Sequence, residues 1–448
     1  MTSPIDLEGF KGEGAAPLIP GEGASAFARG TPAKHPYAVL YQGEHETVWD
    51  GTGVAVRLHA RALAATGVPV VLRSFSNVVI GASGVPEPVH AVGLPEPVKR
   101  EVGALRDTSA AVTVPLIKHG VIRSEAHVRR MVVPPGAIHH DPEVLLALRQ
   151  SLYQSTILYT VWERDRIDPG VAVQLGRVAQ CWVPCEQNRE LLVAAGVARE
   201  NVRVVPHPYD PAAPLCRLIE RRSVPTRRFY SIGRWEARKG QHELLGAFLR
   251  AFLPGEATLV IKYTGGQWDC YPSPEQSVEH WLTGNRAPPA WTRETFTRNV
   301  QLIGERLAAD QILKLHFTNN IYVSAGHGEA WCLPAFDAKV AGNRLVHVGF
   351  GGTADFASAG DIAVPWQLGP VHASYPWEPG ARWAHYDSED LAMALRAVEP
   401  PPHYERPPQF EERFSMRAVG EQMLHNVLEA AESCVPEAAR YLREQTKR

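Results

Sequence analysis

Six cysteines in 448 residues are too few for a disulfide framework. Cys181 and Cys185 form a C-x-x-x-C, but no second cysteine or histidine pair follows at zinc-ligand spacing. They read as two buried thiols on a strand or its flank. No apolar run approaches the ~20 residues that a spanning helix needs. The opening Met-Thr-Ser-Pro-Ile-Asp-Leu-Glu has neither the basic nor the apolar segment of a signal peptide, so a cytoplasmic protein without integral membrane contact is expected. No charge of one sign prevails. Forty-six basic and 48 acidic residues leave a formal charge of −2, which argues against nucleic-acid binding by bulk charge while leaving a local basic groove open. No Asp-x-Asp metal motif occurs either.

What the chain does have is length and punctuation. Its 448 residues suit two domains, and 45% hydrophobic with 21% charged residues excludes a disordered chain. Thirty-seven glycines and 37 prolines point to many loops between compact elements. Residues 1–35, rich in Gly, Pro, Ala and Ser, read as a loose arm. The apolar run Tyr37 to Tyr41, the polar loop Asp50-Gly51-Thr52-Gly53, a helical period at Val54, Leu58 and Ala62, and the run Val68 to Leu72 spell a βαβ unit. Strand candidates continue at Val112 to Leu116, Thr156 to Val161 and Val202 to Pro206. A Pro- and Arg-rich stretch from Pro211 to Arg228 then reads as the linker.

The pattern restarts at Phe229 to Gly233, with a helix carrying Leu244, Phe248 and Phe252 and a strand over Thr258 to Tyr263. Further strands are expected at Val300 to Ile303, Ile321 to Ser324, Leu345 to Val348 and Ile362 to Pro365. Residues 265–297 read as an irregular insertion, and Phe414 to Ala439 as an amphipathic helical tail. The expectation is an α/β protein of two Rossmann-like domains facing across a cleft, 36–220 and 221–413, followed by a helical tail over 414–448. Ligands in such pairs lie between the carboxyl ends of the two sheets.

Chemistry concentrates in the second half. Ser231-Ile232-Gly233-Arg234-Trp235-Glu236-Ala237-Arg238-Lys239-Gly240 lies between a strand and a helix. Gly233 allows close backbone approach, Arg234 offers a planar fork and Lys239 a point charge, both suited to a diphosphate. Alone, this would be an ordinary basic turn. It is followed by Gly328-Glu329-Ala330-Trp331-Cys332-Leu333-Pro334-Ala335-Phe336-Asp337, with Glu329 just after a strand and Asp337 about two turns away on the next helix. The helix N-terminus between them favours an anion. Another glycine loop, Gly349-Phe350-Gly351-Gly352-Thr353, follows the next strand.

The order Gly-Arg, Lys-Gly, Glu-x7-carboxylate with Leu-Pro, and Gly-Gly resembles the retaining GT-B glycosyltransferases of family 4 type, the glycogen-synthase-like and sucrose-synthase-like enzymes. The resemblance spans most of residues 37–425 and is strongest over 229–356. It implies transfer of a hexose from a UDP- or GDP-sugar co-substrate to an acceptor hydroxyl, without a metal ion or other cofactor. By position, Arg234 and Lys239 would bind the donor diphosphate, Glu329 the sugar hydroxyls and Asp337 the ribose. Ala330, Trp331, Cys332 and Leu333 would line sugar and phosphate, with Thr353 near the phosphates and Gly304 near the base. Gly51, Thr52 and Gly53 would face the acceptor, which is a saccharide, a small molecule or a modified DNA base. The chain departs from the family in three places. Asp337 stands where Glu is usual, Ala330 and Cys332 stand where glycines are common, and Trp162-Glu163 stands where a histidine is expected. Either Glu163 reaches the acceptor or His139 or His140 does. A metal at His139-His140-Asp141 is disfavoured because adjacent side chains seldom point at one ion. Two rival readings share parts of this pattern, namely a GT-B-fold sugar-nucleotide epimerase or phosphorylase and a phage-type glycosyltransferase of hydroxylated nucleic-acid bases.

Overall fold

A computed structural model describes residues 33–45, 51–74, 78–80, 86–88, 96–122, 124–133, 142–265, 271–283, 286–372 and 380–447. Most of the expected arm, Asp50, His139, His140 and Asp141 lie outside the described residues.

Two six-stranded sheets organise the described chain. The first runs in the order Val70–Arg73, His35–Gly43, Ala110–His119, Thr156–Tyr159, Gln180–Val183, Val202–Val204, all parallel. The second runs Val300–Ile303, Ala257–Gly265, Arg227–Trp235, Ile321–Ser324, Arg344–Val348, Ile362–Val364, again all parallel. In each, the order reverses beside the first strand of its half, which opens a crevice at the carboxyl ends.

The strands are apolar on both faces because helices cover both faces. Ile157 and Tyr159 point into one buried cluster with Trp182, while Leu158 joins Cys181 and Val183 in the cluster on the opposite face. Ile321 and Val323 pack with Leu244 and Phe248, and Tyr322 between them packs with Phe336 and Phe410. Each such side chain taken from water contributes about 1.5–3 kcal/mol.

Helix Met416–Cys434 crosses back to the first half, where Val419, Met423 and Val427 join Val39 and Tyr41 in one buried cluster. Gly420 permits this crossing: a Cβ there would stand 2.3 Å from the Ala62 carbonyl oxygen of helix Gly51–Ala64. The tail is thus not one helix. It breaks at Val435, and Pro436 starts a further helix, Pro436–Gln445.

Two other expectations change. The segment 265–297 holds two capped helices, Pro274–Leu282 and Arg293–Asn299, in which Ser273 and Thr292 accept the N3 backbone N–H. Trp281 and Trp291 anchor this segment to the second core. Gly51, Thr52 and Gly53 are not a loop but the first turn of helix Gly51–Ala64.

Candidate active site

The strand Arg227–Trp235 lies inside the second sheet and ends at its carboxyl edge. A single 3-10 turn, Ala237–Lys239, then leads through Gly240 into helix Gln241–Ala251. Gly240 has φ 66°, and a Cβ on it would stand 2.3 Å from the Ala325 carbonyl oxygen, so only glycine fits. That fit sets the turn directly over the chain leaving the strand Ile321–Ser324, which carries Glu329.

Lys239 Nζ donates to Glu329 Oε1 at 2.5 Å, and Arg238 Nη1 lies 3.5 Å from Glu329 Oε2. Glu329 is 5% exposed. Burial pushes its pKa up, but the Lys239 and Arg238 charges outweigh burial and hold the carboxyl below its ordinary value. The backbone around it is equally constrained. Gly352 N–H donates to the Glu329 carbonyl at 3.0 Å, and a Cβ on Gly351 (φ 103°) would stand 1.7 Å from that same oxygen. The second glycine loop therefore serves to hold Glu329.

Arg238 is the centre of the cluster, and the motif reading passed over it. Its guanidinium donates to the Gly328 carbonyl at 2.8 Å and pairs with Glu236 at 3.0 Å. It also reaches across the cleft to Glu163 Oε1 of the first half at 3.0 Å. Nearby, Asp165 Oδ1 accepts from Arg382 N–H at 2.6 Å and Oδ2 from Arg382 Nε at 2.7 Å. A Cβ on Gly328 would lie 2.0 Å from the Glu163 carbonyl oxygen, so the halves meet backbone to backbone.

Cys332 caps the helix Leu333–Val340 with φ 65° and ψ 72°, a left-handed conformation that costs a non-glycine residue about 1–2 kcal/mol. Its thiol accepts from Ser324 Oγ at 3.7 Å, and burial pushes its pKa up to about 11. Leu333 comes within 3.5 Å of where a Gly51 Cβ would stand, so two helix N-termini meet across the cleft. Their partial positive ends and Lys239 make the space between them favourable to an anion.

The remaining residues divide. Arg234 is exposed and makes no ion pair with the described residues. Asp337 has its carboxyl pushed up to about 7 by burial. Gly304 lies against the Tyr263 ring, whose hydroxyl would be 2.7 Å from a Cβ there. Ala330 is buried, and its carbonyl oxygen would stand 2.3 Å from a Cβ on Gly352. Gly233 borders the Lys239 stem. Two side chains turn away from the cleft. The Thr353 hydroxyl donates to the Val348 carbonyl at 3.1 Å, and Trp331 packs among Phe336, Phe356 and Phe414. Any part these two take in ligand binding falls to their backbone.

Trp331 also touches His207, at 5.6 Å between ring centres, the edge of a buried group with His59, His119 and Tyr159. Burial lowers the His59 pKa to about 4, and pushes His119 and His207 well below the ordinary value. Burial thus favours the neutral form of each of these imidazoles. Cys181 and Cys185 are buried free thiols, on a strand and at a helix start, with pKa values pushed up to about 12 by burial. Among the described residues, no three His, Cys, Asp or Glu are grouped to hold a metal ion, and no helix is long and apolar enough to cross a membrane.

No protein-family model matches the chain, and no curated protein matches its sequence. Solved structures do match. HepE of Anabaena in complex with UDP-glucose aligns over 87% of this chain and 99% of its own, at 12% identity and TM-score 0.50. Its complex with UDP gives the same coverage and identity at TM-score 0.51. The fold is GT-B. AviGT4, a glycosyltransferase involved in avilamycin A biosynthesis, aligns over 87% of this chain and 97% of its own, at 16% identity and TM-score 0.45. These identities leave the likeness at the level of the fold.

Proposed function

We propose that the protein is a glycosyltransferase that moves a hexose from a UDP-sugar to an acceptor hydroxyl, with the anomeric configuration retained and without a metal ion. One observation carries the reading: the Lys239–Glu329 pair, backed by Arg238, stands at the carboxyl ends of the second sheet where two helix N-termini converge. HepE, in complex with UDP-glucose, has the same fold, which supports a uridine donor over a guanosine one.

In this reading, 221–413 binds the donor, 36–220 the acceptor, and 414–448 ties the tail to the first half. The hard event is departure of the diphosphate. The C1–O bond breaks with its electron pair going to the phosphate oxygen, while the acceptor oxygen forms the new C1–O bond on the same face and its proton passes to the departing diphosphate. Charge grows on that leaving group, and fixed donors stabilise it more in the transition state than in the ground state. Lys239 and Arg234 fill that role with the helix end at Leu333. Glu329 takes the sugar hydroxyls, Asp337 the ribose, and Gly304 borders the base. Gly51, Thr52 and Gly53 face the acceptor, while the Glu163 carboxylate is held by Arg238 at 3.0 Å. Free, buried thiols fit a reducing, cytoplasmic setting.

Thermal-shift titration with UDP, UDP-glucose, GDP and GDP-mannose tests the reading. A ligand at a hundredfold above its Kd adds about 2.7 kcal/mol of stability. The uridine pair is expected to raise Tm, with or without EDTA. A response to guanosine ligands alone would reassign the donor, and silence from all four would defeat the proposal.

A further inference from the structure

We propose that Arg238 is a positioning residue which, through Glu163, makes the approach of the two halves a condition for the orientation of the Glu329 carboxylate. This rests on the glycosyltransferase reading above. The Arg238 side chain is buried, and on its own half the Gly328 carbonyl and Glu236 hold it at 2.8 and 3.0 Å. The same Nη1 faces two further carboxylates, Glu163 at 3.0 Å and Glu329 at 3.5 Å. The nearer of the two comes from the other half of the molecule.

Glu163 cannot make that contact independently of the halves. Its loop is pinned to the first half by Asn188, which accepts from Trp162 N–H and donates to the Trp162 carbonyl, both at 2.8 Å. The Glu163 carbonyl fills the space over Gly328, and Asp165 binds Arg382 beside it. Delivery of Glu163 to Arg238 and closure of the cleft are one event.

The consequence falls on Glu329. Facing it are Lys239 and Arg238 from the turn, with Cys332 and Tyr322 on its own side, and Glu163 behind Arg238. With Glu163 in place, Nη1 is drawn toward the first half, and Glu329 stays with Lys239, facing the donor space. With Glu163 withdrawn, Nη1 still faces Glu329 beside the Gly328 carbonyl. The carboxylate is then pulled toward the guanidinium and out of line. A donor that engages the open form therefore meets a misplaced Glu329 until the halves close.

The test uses the full chain with UDP and UDP-glucose as probes. UDP binding is measured by calorimetry, and release of UDP from UDP-glucose, with water or added sugars as acceptor, is followed from about pH 5 to 9. Glu163→Gln and Arg238→Lys are each expected to lower kcat about 10–100-fold while the Kd for UDP stays within about threefold. The double variant should fall no further than Arg238→Lys alone by more than about twofold, since both act through one contact. The acid limb separates this role from a merely structural one. Glu163→Gln should move it to lower pH, by leaving Arg238 closer to Glu329, and Arg238→Gln to higher pH. Additive losses, or an acid limb that stays in place in both variants, would overturn the proposal. If Arg238→Gln does not fold, the additivity of Arg238→Lys and Glu163→Gln, with the acid limb of Glu163→Gln, decides the proposal. A wild type that neither binds UDP nor releases it defeats the glycosyltransferase reading. A wild type that does both, with additive single variants, defeats the positioning role alone.

Discussion

Lys239 Nζ lies 2.5 Å from Glu329 Oε1, so a cation of the cleft and a buried carboxylate neutralise each other. In the proposed function a donor diphosphate shares or takes Lys239, and that exchange frees Glu329 for the sugar. Glu329→Gln should therefore bind UDP as well as the wild type or several-fold more tightly, yet lose most transfer, about 10²–10³ in kcat. Calorimetry with UDP and a nucleotide-release assay read the two halves of this expectation. Near wild-type turnover would reject the assignment.

Arg234 and Lys239 should differ in stability but agree in kinetics. Arg234 is exposed and makes no ion pair with the described residues, so Arg234→Ala should leave Tm within a degree or two. Lys239→Ala leaves a buried Glu329 with one cation fewer and should cost about 1–3 kcal/mol of stability. Each single variant should lower kcat/KM about 10²–10³-fold, and the double less than the sum. Two kinetically silent singles would remove the donor-site claim.

Asp337 gives a pH test. Its folded pKa of about 7 lies above the ordinary 3.8, so the protein loses stability from this group as pH rises from about 3.8 to 7. Asp337→Asn carries no such loss. It should be more stable than the wild type above pH 7, by up to about 4 kcal/mol, and equal to it near pH 4. Affinity for UDP should fall in the same variant. Melting curves at the two pH values settle the sign.

The buried histidines predict the opposite trend in acid. His59 falls from 6.5 to about 4 on folding, so its contribution is fully present above pH 6.5 and is lost as pH drops towards 4. With His119 and His207 depressed by the same burial, Tm should fall through this window more steeply than one proton explains. His207→Phe should flatten that fall. An unchanged slope would show that the imidazoles do not carry the effect.

Much of the fold was legible because buried parallel strands announce themselves as short apolar runs, as in Ile321 to Ser324 and Val68 to Leu72. The strand Gln180–Val183 was less plain, since its run is interrupted by glutamine and cysteine. The helices of 265–297 were missed although Ser273 and Gln276 spell a capping box, because tryptophan and proline dominate the stretch. At the site, Glu329 and Lys239 were readable from their motifs. Arg238 was not, because what distinguishes it from any basic turn residue is Glu163, contributed by the other half of the chain. Long-range pairing leaves no local signal. The turning of Thr353 and Trp331 into the core was hidden for the same reason.

The bare backbone of Gly328 limits how this protein can be recombined. Halves of one architecture invite exchange, and a junction in the linker would preserve each core. Yet the seam depends on a carbonyl from Glu163 filling the place of a missing side chain, 2.0 Å from where a Cβ would be. A chimera whose new second half brings even alanine to that position would be wedged ajar at the seam, with both halves folded and the join out of register. Parts exchanged here must be matched as a pair, loop with glycine.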